Sequence, residues 1–137
     1  MNLEQQVTSL NLSKRLKELG VKQLALFWWS EHTIPATLWN EHDLGENDPY
    51  AGVSDKSVAA FTVAELGELL PSRLTNNLVG EHQQHQFMCE KWPNEKWNSA
   101  YVCLDCKGNM CRVQEERMAE SMGLMLVYLI EDKLLNV

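Results

Sequence analysis

Apolar positions recur along this chain in two periods, and each period predicts a different element. Leu12, Leu16 and Leu19 follow the i, i+4, i+7 stripe of a helix over Ser9–Leu19, while Lys14, Arg15, Lys17 and Glu18 take the other side. Ser9 or Asn11 can cap its start, and Gly20 stands where a helix often turns left-handed to end. From Val21 to Ser30 the period drops to two: Leu24, Leu26 and Trp28 alternate with Ala25, Phe27 and Trp29. Both faces are apolar, which predicts a central strand covered on both sides. On that reading Phe27-Trp28-Trp29 is core rather than a stacking platform for bases or sugars.

Glu31–Lys56 carries Pro35, Gly45, Asn47-Asp48-Pro49 and Gly52, and is expected to be loop with one short strand around Ala36–Trp39. Ser57–Phe61 is a short strand leading into a helix over Thr62–Leu70. There Thr62 and Glu65 spell a capping box, Val63, Leu66, Leu69 and Leu70 make the apolar side, and Pro71 stops the run. Glu81–Trp92 has strand character until Pro93-Asn94 breaks it.

Ser99–Glu115 is expected to be a β-hairpin. With Lys107-Gly108 as its turn, Cys106 faces Asn109, Leu104 faces Cys111 and Val102 faces Val113. Ala100, Val102, Leu104, Cys111 and Val113 would then share one face, and Tyr101, Cys103, Arg112 and Gln114 the other. A last helix, Glu116–Leu135, presents Met118, Met122, Met125, Leu126, Leu129 and Leu134, and tolerates Gly123 at a cost of about 1 kcal/mol relative to Ala. The order helix–strand–loop–strand–helix–strand–strand–helix predicts an α+β fold, with about three helices packed on a mostly antiparallel sheet of about three to five strands.

The chain has 137 residues, which suits one domain, and its 45% hydrophobic and 23% charged content is ordinary for a globular protein. The net charge of −7 argues against general nucleic-acid binding, which needs a basic face, and against an anionic membrane surface; a basic protein partner stays open. The longest apolar run near the C-terminus, Leu124–Ile130, is far shorter than the ~20 residues needed to span a bilayer. With no basic-then-apolar leader visible, the expectation is a cytoplasmic protein whose four cysteines are reduced thiols or metal ligands.

Three stretches carry a resemblance: Leu16-Lys17-Glu18-Leu19-Gly20-Val21-Lys22-Gln23 with the aromatic strand after it, Ala60-Phe61-Thr62-Val63-Ala64-Glu65-Leu66-Gly67-Glu68-Leu69-Leu70-Pro71, and Leu126-Val127-Tyr128-Leu129-Ile130-Glu131-Asp132-Lys133-Leu134. In this order they resemble a family of small uncharacterised proteins encoded on prophages and other mobile elements of gut anaerobes. The resemblance implies a cytoplasmic accessory protein and brings no catalytic or ligand-binding residue with it.

The sharpest candidate for chemistry is Cys103-Leu104-Asp105-Cys106-Lys107-Gly108, whose C-x-x-C-x-G spacing is that of a zinc knuckle. Closing a tetrahedral site needs two more ligands from Cys89, Cys111, His82 and His85. The expected register, with Cys103 and Cys111 on opposite faces, speaks against it. The pair also does not open a helix after a strand, as a low-pKa redox thiol would. No nucleophile elbow, P-loop, dinucleotide-binding or H-E-x-x-H pattern occurs.

No catalytic, cofactor or metal residue is therefore assigned, and the expected role is non-catalytic, through protein–protein interaction. A small zinc module on Cys103 and Cys106 and an acidic DNA mimic are the alternatives. Glu31, Glu41, Asp43, Glu46, Asp48 and Asp55 lack the regular ligand alternation of a calcium loop. Trp92 and Trp97, flanking the Pro-Asn turn, either form an exposed aromatic patch for a partner or cover a sheet edge or pack over a loop.

Overall fold

A computed structural model describes residues 2–31, 34–40, 57–76, 83–103 and 109–137. The acidic loop from 41 to 56, the Lys107-Gly108 turn, Cys106 and His82 lie outside the described residues. After a 3₁₀ turn at Leu3–Gln5 come helix α1 (Leu10–Glu18) and strands β1 (Phe27–Ser30), β2 (Thr37–Asn40) and β3 (Ser57–Ala60). Helix α2 (Val63–Leu69) leads to β4 (Arg73–Asn76), β5 (Gln83–Lys91), β6 (Trp97–Cys103) and β7 (Asn109–Glu115), and helix α3 (Met118–Glu131) closes the chain.

The fold is α+β, as the hydrophobic pattern predicts, but its strands divide into two antiparallel sheets, ordered β2-β1-β3 and β4-β5-β6-β7. Among the described residues no helix is long and apolar enough to cross a membrane.

Local chemistry sets the helix ends. The Ser9 side chain accepts from the Leu12 amide, so Ser9 rather than Asn11 caps α1. At the other end Gly20 takes φ 88°, and the Val21 amide reaches back to the Leu16 carbonyl. The capping box of α2 is complete: Thr62 accepts from the Glu65 amide, and the Glu65 carboxylate accepts from the Thr62 amide at 2.7 Å. α3 ends at Glu131 instead of Leu135, because Lys133 adopts φ 58° and the Leu134 amide folds back onto the Leu129 carbonyl at 2.8 Å. Leu134 still packs against the core from that turn.

The expected strand over Val21–Ser30 is shorter than its apolar pattern, since only Phe27–Ser30 pairs, while Leu24 and Leu26 stand exposed before it. Within those four residues the expectation of two covered faces holds. Phe27 and Trp29 pack with Val7, Val58 and Ala60 in a small cluster, and Trp28 on the opposite face joins the main core. The outer edge of β3 is occupied by side chains. The Ala59 amide donates to Gln23 Oε1 at 2.9 Å, Lys17 Nζ donates to the Ser57 carbonyl, and the Phe61 amide donates to Thr8 Oγ1 at 3.0 Å.

The second sheet turns Leu74, Phe87, Tyr101 and Cys111 toward α3. That helix is apolar nearly all round, with Ala119, Met122, Met125, Leu126 and Leu129 buried, and it packs against β6, β7, α1 and α2 at once. Ser121 Oγ, also buried, donates to Ser99 Oγ on β6 at 2.7 Å, which keeps both hydroxyls satisfied inside.

The hairpin register is a correction. Tyr101 faces Cys111, Ala100 faces Arg112, and Val113 faces Ser99 rather than Val102, three positions from the expected pairing. An odd shift exchanges the faces. Tyr101 and Cys111 therefore go inward together, where the Cys111 thiol sits 3.5 Å from Met125 Sδ. Tyr101 buries far more apolar area than the alanine and valine that the two-residue turn would have favoured, and burial outweighs turn geometry.

Candidate functional site

One cleft of about 680 Å³ opens where the ends of the two sheets meet. That is inside the range of about 300–1,000 Å³ that small ligands and anchoring segments occupy. Its apolar wall is made by Leu3, Phe27, Val63, Ala64, Trp97 and Met118, and its charged lining by Lys91, Glu95, Glu116 and Arg117.

Each wall residue is there for a structural reason. Phe27 starts β1, and Val63 is the first residue of α2, held by the capping box. Trp97 begins β6 on the same face as Ser99 and Tyr101, beyond the last turn of core side chains. Met118 is the first residue of α3. The N-terminal turn is fastened by its own capping box between Asn2 and Gln5, and Arg117 Nη1 donates to the Glu4 carbonyl at 2.7 Å. Glu120 accepts from the Ser9 amide at 2.5 Å and pairs with Arg117 at 3.1 Å, joining α1 to α3 beside the cleft.

Both lining cations are therefore already engaged. Lys91 pairs with Glu95 at 2.5 Å, and the hydrogen bond from Lys91 holds the Glu95 carboxyl below its ordinary range. Glu116 enters no ion pair among the described residues, and neither do Glu115 next to it in sequence and Glu4, whose carbonyl Arg117 holds. The lining contains no Cys, Ser or His, and the Thr62 hydroxyl is committed to the Glu65 carboxylate at 2.8 Å. The arrangement can hold an apolar group under a charged rim.

The two tryptophans proposed as a patch face opposite ways. Trp97 lines the cleft, while Trp92 lies over the outer face of the second sheet, with the Arg112 guanidinium 3.7 Å above its ring centroid. Arg112 Nε also donates to Asn98 Oδ1 at 2.7 Å, and Trp92 Nε1 to Glu90 Oε1 at 2.8 Å.

The cysteine and histidine set is only partly gathered. His85 lies directly across from Cys103, both buried on the inward face, with Cys111 across from Tyr101 next along it. Cys103 and Cys111 thus share a face, contrary to the expected register. Cys89, across from Ser99, accepts the Ser99 hydroxyl at 3.4 Å. Burial pushes the thiols of Cys89 and Cys111 up, away from the thiolate a metal or redox site would need. Among the described residues no group of three or more His, Cys, Asp or Glu is placed to hold a metal ion.

The remaining described carboxylates that pair are Glu31 with Lys14, and Glu131 and Glu18 with Arg15, whose guanidinium they hold above its ordinary value, Glu131 most strongly.

No protein-family model, curated protein or solved structure matches the chain.

Proposed function

We propose that this chain is a non-catalytic, cytoplasmic accessory protein of the kind carried by prophages and other mobile elements, and that it acts by binding another protein through the cleft. The observation that carries this reading is the lining itself: an apolar wall of six residues, beside which the one hydroxyl of the lining, that of Thr62, is locked in a helix cap. The resemblance of the α1, α2 and α3 segments supports the mobile-element origin.

Affinity capture with the wild type and with Leu3→Gln tests it. Leu3 is 39% exposed, so the change removes apolar contact from the cleft rim without emptying the core. A partner retained by the wild type and lost by the variant is expected. Capture of no specific partner, or binding indifferent to Leu3, removes the reading.

A second reading, a zinc module, is favoured by one observation: His85, only 4% exposed and opposite Cys103, has no hydrogen-bond partner at Nδ1 among the described residues. Zinc analysis of protein purified without chelator tests it. Protein that is folded and metal-free discards it.

A further inference from the structure

We infer that the segment taken by the cleft is basic: an extended peptide of the partner that carries an apolar residue beside Lys or Arg. The inference rests on the cleft being the docking site and adds the chemistry of what docks there.

Charge at the rim selects the sign. Lys91 is satisfied by Glu95, and Arg117 by Glu120 and the Glu4 carbonyl. An acidic segment would meet two cations that each already carry a carboxylate partner. Separating Arg117 from Glu120 is costly, because the pair is largely shielded, with side chains 30% and 17% exposed. A cation meets the opposite situation. Glu116 lines the cleft and enters no ion pair among the described residues, Glu115 lies across the strand pair from Trp97, and Glu4 stands in sequence between Leu3 and Gln5, which line the cleft.

The aromatic wall adds to this. Phe27 and Trp97 offer ring surface to an alkyl or aromatic anchor, and a ring face attracts a cation laid on it. The same sheet already shows that contact on its other side, where Arg112 stacks on Trp92. The net charge of −7 steers a basic segment toward the protein from a distance.

The test is a titration of the ¹⁵N-labelled full chain with three tetrapeptides, Ac-Lys-Phe-Lys-Leu-NH₂, its Glu-for-Lys counterpart and its Ser-for-Lys counterpart. The indole N–H of Trp97, assigned by its loss in Trp97→Phe, reports occupancy of the cleft. The Lys peptide is expected to bind about tenfold more tightly than the Glu peptide at low salt. That gap should close at about 1 M salt, where the screening length falls to ~3 Å. In a Glu115→Gln/Glu116→Gln variant the Lys peptide should lose its advantage while the Ser peptide is unaffected.

Equal binding of all three peptides at Trp97 overturns the basic preference and leaves the docking reading standing. Tighter binding of the Glu peptide, or no shift of Trp97 with any peptide, overturns the inference. The docking reading is decided separately, by whether Leu3→Gln loses the captured partner.

Discussion

Gly123 of α3 and Leu12 of α1 stand in such close approach that a Cβ added to Gly123 would meet Leu12 Cδ2 at 2.7 Å, and Thr8 Cγ2 at 3.1 Å. In sequence Gly123 reads as a helix defect; in the fold it is the place where two helices touch. Leu12 is buried in the core, and Thr8 is held by the Phe61 backbone on both its amide and its hydroxyl.

Gly123→Ala therefore sets two effects against each other. Helix propensity favours alanine by about 1 kcal/mol, whereas overpacking a filled core costs about 1–3 kcal/mol. A net loss of about 1–2 kcal/mol in urea unfolding is expected. In a Leu12→Ala background the same change should turn neutral or favourable, since the atom it strikes is gone. Stabilisation by Gly123→Ala alone would contradict the close packing.

Glu65 joins two elements through one carboxylate. Oε2 accepts from the Thr62 amide, and Oε1 accepts from the Leu26 amide at 2.8 Å, tying the start of α2 to the segment before β1. Glu65→Ala should cost about 1–3 kcal/mol and speed hydrogen exchange at both amides. Glu65→Gln, which keeps an acceptor, should lose less. Exchange that quickens at Thr62 but not at Leu26 would show the second tie to be idle.

Tyr101 is fully buried and its hydroxyl donates to the Pro71 carbonyl at 2.7 Å; burial, followed by the neighbouring Cys111, pushes its pKa well up. A group whose folded pKa lies above its unfolded value of about 10 contributes stability that is complete below that pH. The contribution is lost as pH rises toward the folded pKa. Stability should decline from about pH 10 upward. Tyr101→Phe, though weaker at neutral pH for want of the hydrogen bond, should flatten that decline. Tyrosinate absorbance at 295 nm should show Tyr101 ionising only as the protein unfolds.

Cys103 and Cys111 are 2% and 8% exposed, and burial raises the Cys111 thiol further from ionisation. Since the thiolate is the reactive form, both should label with a disulfide reagent only at the rate of unfolding. Mass mapping after brief exposure, with and without guanidinium, checks this. Rapid native labelling at Cys111 would contradict its packing against Met125.

What was legible in the sequence was local. Ser9 and the Thr62–Glu65 box announce helix starts because each satisfies amides within one turn. The strand character expected over Glu81–Trp92 holds as β5, whose inward set, His85, Phe87 and Cys89, alternates with Gln84, Gln86 and Met88. The hairpin register was not legible, because it follows from which side chains α3 can cover, and Tyr101 takes that place over Val102. The cleft left still less trace. Leu3, Phe27, Val63, Lys91 and Arg117 are far apart along the chain, and no short motif records a wall assembled from so many elements.

The side chains along the rim of β3 also limit how copies of this protein can associate. With Gln23, Lys17 and Thr8 already bonded to the polar groups there, a foreign strand arriving alongside would find no vacant amide at Ala59 or Phe61 and no free carbonyl at Ser57. That flank of the three-stranded sheet is defended at those three groups, so growth by stacking strand upon strand is disfavoured there.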